Sequence, residues 1–178
     1  MLKGIEMRKA ALIASVLFVA VISTACINNF AVQDLNNKAK AYAAKGDYTQ
    51  AIERLKSSID LDPSIVETHY NLGVVYTNVN NYEGAIEQFK KVIELKPDMA
   101  DAYYSLATAQ NNLAVDMHEG ATELIQDGSA HSFDIEELYD SAIENYEKYI
   151  EMSSNESDKA VAKAQIQKLE EYKDQEED

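Results

Sequence analysis

Three histidines, one cysteine and a surplus of carboxylates are the groups in this chain that could do chemistry. A metal centre needs several histidines, cysteines or carboxylates at ligand spacing. His69, His118 and His131 are scattered, and His118-Glu119 lacks the second histidine that would make a zinc-protease helix. No phosphate-cradling glycine loop and no nucleophile elbow occurs. The carboxylates lie close together, but on polar helix faces such groups are far more often solvated than catalytic. No metal or cofactor is implied, and the expectation is a protein that binds rather than an enzyme.

The charge balance narrows the partner. The formal charge is −15, and from Cys26 onward 13 basic residues stand against 30 acidic ones, a net −17. Binding a phosphate backbone requires a basic stripe that releases counterions, so nucleic acid is excluded as an expected partner. A single cysteine permits no intramolecular disulfide, and stability must come from packing. With 46% hydrophobic residues, two prolines and six glycines, the 178-residue chain can bury one core and is expected to be all-α.

The amino terminus has the order of a secretory signal: basic residues in Met1 to Lys9, the apolar run Ala10 to Ile22, then small residues. That run is shorter than the roughly 20 residues a spanning helix needs. Ile22-Ser23-Thr24-Ala25-Cys26 resembles the lipobox of bacterial lipoproteins, whose cysteine becomes the new amino terminus and carries the acyl chains, although Ser23 stands where that family more often has leucine. The resemblance implies a signal peptide over 1–25, lipidation at Cys26, a short linker over 26–31 and a membrane anchor. It also implies export, to the periplasmic face of the outer membrane if the host has two membranes, because Ile27 is not aspartate. An uncleaved anchor and plain secretion remain open, and Met7 could also serve as the start.

Self-comparison finds a repeat. Ala-Ile-Glu occurs at Ala51, Ala85 and Ala142, each time three residues after a tyrosine (Tyr48, Tyr82, Tyr139). The interval from Ala51 to Ala85 is 34, and so is that from Pro63 to Pro97. In the second unit, Leu72-Gly73-x2-Tyr76 leads to Tyr82-x2-Ala85-x3-Phe89 and Pro97, a pattern that resembles the tetratricopeptide repeat. The resemblance implies a solenoid of helical hairpins with units at 32–65, 66–99 and 100–152. Small residues at Ala39, Gly73, Ala51 and Ala85 let paired helices approach, and Gly46-Asp47 and Asn80-Asn81 supply the turns. His69, where the family favours tryptophan, is expected to pack.

In the third unit the turn expected near Ala114 and Val115 is missing, so its first helix should run on. The interval from Ala85 to Ala142 is 57, one period plus 23, which places an insertion near 116–138. Leu106, Leu113, Met117, Ala121 and Leu124 share one helical face, and Ile135, Leu138, Ala142, Tyr146 and Tyr149 another. A projecting antiparallel hairpin is expected, turning at Asp127-Gly128-Ser129, with Ser132 or Asp134 capping the returning helix; the alternative is a disordered loop. Beyond a polar break at Ser153 to Ser157, the segment 153–172 should supply a capping helix, with an acidic tail over 173–178.

The resemblance also says where a partner binds: the concave face of the stacked first helices. Placed by it, the inward residues are Asn36 and Lys40, then Tyr70, Val74, Thr77 and Asn78, then Tyr104, Thr108, Asn111 and Asn112. Their amides can pair with an extended peptide backbone and their tyrosines offer contact area. The lysine and arginine clamp with which some members hold a carboxylate is absent, and only Asn71 matches that pattern. The expected role is a membrane-tethered adaptor for a protein or peptide in the bacterial cell envelope. The rivals are a self-associating structural subunit, so that a homo-oligomer is possible, and an accessory regulator of an envelope protease or hydrolase.

Overall fold

The computed structural model describes residues 29–118 and 134–176. The signal and lipobox readings at 1–28, and the expected hairpin tip with Ala121, Leu124, the Asp127 turn and Ser132, lie outside the described residues. Those described form seven α-helices and no strand: α1 (29–43), α2 (Tyr48–Leu61), α3 (Val66–Asn78), α4 (Tyr82–Leu95), α5 (Ala100–His118), α6 (Ile135–Met152) and α7 (Glu156–Glu176). Each helix packs on the next from α2 to α7, and α3 also touches α5.

The boundaries have local causes. At the first two turns the backbone repeats itself one period apart: Asp47 N–H donates to the Tyr42 carbonyl at 3.0 Å and Asn81 N–H to the Tyr76 carbonyl at 2.9 Å. This closure needs a left-handed residue, supplied by Gly46 (φ 76°) and Asn80 (φ 59°). Asp47 and Asn81 do a different job from their neighbours, since each side chain caps the following helix, accepting from Gln50 N–H and Gly84 N–H. At the other end of each pair, Asp62 and Lys96 leave the helical conformation, as the residue before a proline is pressed to do, so α2 and α4 stop before Pro63 and Pro97. Asp134 caps α6 by accepting from the N–H groups of Glu136 and Glu137.

The third pair is lengthened on both arms. α5 has 19 residues against 13 in α3, and α6 has 18 against 14 in α4. The helix expected to run past Ala114 does so, and Leu113, Ala114 and Leu138 are buried in the same cluster. Three expected boundaries shift. Residues 29–31, inside the expected linker, are already helical. The polar break is only 153–155, and α7 continues to Glu176, into the expected tail. The physical reason for the last is docking: Lys173 pairs with Asp140 of α6, and Tyr172 stacks on Tyr139 at 6.3 Å between ring centroids.

The interior falls into two clusters. Ala39, Ala51, Leu55, Leu72 and Val75 form the first, and a larger one runs from Ala85 and Phe89 through Leu106, Leu138, Tyr139 and Tyr146 to Ala162 and Leu169 of α7. Tyr76 packs against both. His69 is 5% exposed and spans a joint: Nε2 donates to the Pro63 carbonyl at 2.9 Å, and Nδ1 lies 2.8 Å from the Gln88 side chain. Among the described residues no group of three metal-ligating side chains forms.

Beside the first cluster lies a buried polar layer. Asn36 Nδ2 reaches Ser58 Oγ at 3.0 Å, Thr68 Oγ1 at 2.8 Å and the Val32 carbonyl at 3.0 Å, all buried. Two amide hydrogens are thus shared among three acceptors. One period on, the same positions hold Tyr70, Val92 and Ala102, and the layer is apolar. A satisfied buried network contributes little net stability, whereas removing one member strands the rest at about 1–3 kcal/mol. Asn36→Ala should therefore cost about 2 kcal/mol in urea unfolding. The triple change Asn36→Tyr, Ser58→Val, Thr68→Ala, which writes in the second unit's layer, should recover at least half of that loss; a triple variant weaker than the single one would contradict this account.

Candidate functional site

The first helices of successive units, α1, α3 and α5, carry the ten residues expected to face a partner, and the structure separates them into groups. Asn36 is 4% exposed and spent on the polar layer, where its Oδ1 also accepts from Asn71 Nδ2 at 3.3 Å. It is interior rather than groove-facing, because a short amide at this position sinks between α2 and α3 where a tyrosine would not. Lys40 is exposed and ion-paired with Glu67 of α3 at 2.6 Å. On α3, the Thr77 hydroxyl donates to the Gly73 carbonyl and the Asn78 amide to the Val74 carbonyl, while Val74 itself is 38% exposed. Asn111 and Asn112 are half-buried on α5.

Tyr70 and Tyr104 are the pair the fold brings together. They line a cleft of about 290 Å³ with Asp101 and Ser105 of α5, Tyr149 of α6, and Asp158 and Val161 of α7. Each ring is fixed by its neighbours. Tyr70 meets Phe89 edge-on at 5.7 Å, and its hydroxyl lies 3.3 Å from Ser105 Oγ. Tyr104 meets Tyr146 and Tyr149 edge-on at 5.4 and 5.1 Å. Rings held by such contacts lose little freedom when a ligand arrives.

Five lining residues are not among those the resemblance places in the groove. Asp101 and Ser105 stand one period after Glu67 and Asn71, so the spacing itself could have found them. Tyr149 stands one stretched period after Val92, at the interval that separates Ala142 from Ala85. Asp158 and Val161 required recognising that α7 is more than a cap. Ala162 is buried on α7 as Ala39, Gly73 and Ala107 are on the earlier first helices, so α7 occupies the place of a fourth first helix.

Tyr146 supports the cleft from beneath. It is 1% exposed, with its hydroxyl 3.1 Å from Thr108 Oγ1. The Thr108 hydroxyl donates to the Tyr104 carbonyl at 2.9 Å, which uses its one hydrogen, so Tyr146 must be the donor between them. Burial pushes the Tyr146 phenol up to about 12. Its unfolded value is near 10, so the folded chain keeps a proton that the unfolded chain releases, and stability present below pH 10 is lost as pH rises to about 12. Across that window the loss from this group should reach about 2 kcal/mol in urea unfolding, and Tyr146→Phe should flatten the alkaline limb by that amount relative to the parent.

Comparison with known proteins agrees with the geometry. A TPR repeat model matches residues 39–80 and a tetratricopeptide repeat model residues 66–99. The chain matches no curated protein sequence. Similar solved structures include the second TPR domain of human RPAP3 in complex with the HSP70 peptide SGPTIEEVD (TM-score 0.61, 16% identity, covering 80% of this chain and 98% of that one). The Arabidopsis OM64 TPR domain is similar too (TM-score 0.61, 15% identity, covering 79% and 98%), as is MamA protein (TM-score 0.56, 25% identity, covering 83% and 71%). The repeat period, the two units matched over residues 39–99 and the helical-hairpin solenoid of which they are part show that this chain carries tetratricopeptide repeats.

Proposed function

We propose that the chain is a membrane-tethered adaptor of the bacterial cell envelope, held by a lipid on Cys26 and binding a peptide or protein in the cleft between α3, α5 and α7. The cleft carries this reading, because pre-set aromatic rings in an open groove are what an interface anchors on. The human neighbour's bound peptide is acidic near its end. This chain has no lysine or arginine among the residues lining its cleft, and Asn71 is already bonded to Asn36. Partner recognition here therefore rests on tyrosines and carboxylates rather than on a carboxylate clamp.

The tether follows from the residues before the first helix. Cys26 precedes the helical residue 29 by only three positions in the sequence, so a lipid there would hold the repeats close to the bilayer surface. Among the described residues no helix is long and apolar enough to cross a membrane.

Two measurements test the two halves of this reading. For a partner captured from detergent-solubilised membranes, Tyr70→Ala with Tyr104→Ala should weaken binding about tenfold or more while the helical circular dichroism is kept; unchanged affinity sinks the cleft reading. Cys26→Ser should shift the protein from the membrane to the soluble fraction. If it stays with the membrane, the lipid reading fails and the repeat reading stands.

A further inference from the structure

We propose that the cleft is a receptor for a single lysine or arginine side chain presented by the partner polypeptide. The inference rests on the reading of this cleft as the partner site and adds the chemistry it selects. Its lining combines three phenol rings, Tyr70, Tyr104 and Tyr149, with two carboxylates from different helices, Asp101 of α5 and Asp158 of α7. No cation is among the lining residues. Lys159, next to Asp158 in the chain, is ion-paired with Glu156 at 2.9 Å. Asp158 accepts at one oxygen from the Asn155 amide at 2.7 Å, a neutral donor that holds the carboxylate in place and brings no positive charge to it.

Size and polarity select the occupant together. A volume of about 290 Å³ is at the small end of ligand pockets and suits one long side chain rather than a folded surface. A lysine or arginine stem can lie along Val161, which is 46% exposed, and along the tyrosine rings while its head reaches the carboxylates. An acidic side chain in the same place would face two like charges. A neutral aliphatic one would cover the rings and leave both carboxylates to be desolvated without a partner. The net charge of −17 from Cys26 onward favours the approach of basic segments over acidic ones at longer range.

The test uses full-length protein in detergent and short labelled extended peptides that are identical except for one central lysine, norleucine or glutamate. Fluorescence anisotropy should rank lysine about tenfold tighter than norleucine, with glutamate weakest, and the lysine advantage should shrink between low and high salt. Asp101→Asn with Asp158→Asn, which keeps side-chain shape, should remove the preference by weakening the lysine peptide without weakening the norleucine one, whose carboxylate desolvation it relieves. Tyr70→Ala with Tyr104→Ala should weaken lysine and norleucine peptides alike. Equal binding of lysine and norleucine peptides, still dependent on the tyrosines, overturns the cation inference and leaves the cleft reading intact. Binding of every peptide that ignores the tyrosines, or no binding at all, overturns both.

Discussion

The close approach of paired helices at small residues is the constraint from which the rest of this molecule follows. A Cβ built on Gly73 would lie 2.6 Å from the Phe89 ring, and that ring is itself 1% exposed and has no room to yield. Ala39 with Leu55, and Ala107 with Tyr146, hold the same positions in the flanking pairs, all of them buried. Backbones this close fix the angle at which each hairpin leans on the next. The lean decides which residues of the first helices meet across the groove, so a glycine in the interior controls the spacing of tyrosines at the surface.

Along the solenoid, one repeat position changes its surroundings from unit to unit. Asn36, Tyr70 and Tyr104 are related by the repeat period, yet the first is buried in a hydrogen-bonded layer while the other two line the cleft. The difference lies in what sits beneath them. Ser58 and Thr68 draw the amide inward, whereas the same register positions one period on are Val92 and Ala102, which carry no hydroxyl, and the Tyr70 hydroxyl lies against Ser105 instead; Tyr149 stands at the corresponding position under Tyr104. The first unit is consequently bonded inward, and the cleft lies in the half nearer the carboxyl terminus. The stretched third pair serves that half: longer α5 and α6 bury more apolar side chains, and that support holds Tyr104, Tyr146 and Tyr149 in a mutually packed set.

Much was legible in the sequence because repeats are quasi-one-dimensional and their contacts are close in the chain. The repeat period, the left-handed turns at Gly46 and Asn80, the stops before Pro63 and Pro97, and the elongation of α5 past Ala114 are decided by local backbone preference and helical periodicity. Local rules were weaker at the ends. Lys173 looks like the start of a solvated tail until Asp140, a whole helix earlier in the chain, is seen beside it. Asp62, at the surface, has its carboxyl held below the usual range by the Ser64 hydroxyl and N–H, a local turn interaction of the kind a sequence can suggest.

The sequence by itself determined that the described residues are helical without a strand, how they are divided into pairs, where two tyrosines stand in register, and that the cationic clamp positions lack lysine and arginine. Only the tertiary structure decided that Asn36 turns inward, that Tyr149 comes up beneath Tyr104 from the opposite helix, and that α7 closes the cleft with Asp158 and Val161. The reason is physical. Helix periodicity assigns a residue to a face within its own helix, but which neighbour that face meets depends on side chains many residues away, and here on whether the floor beneath offers a hydroxyl, a methyl or a ring.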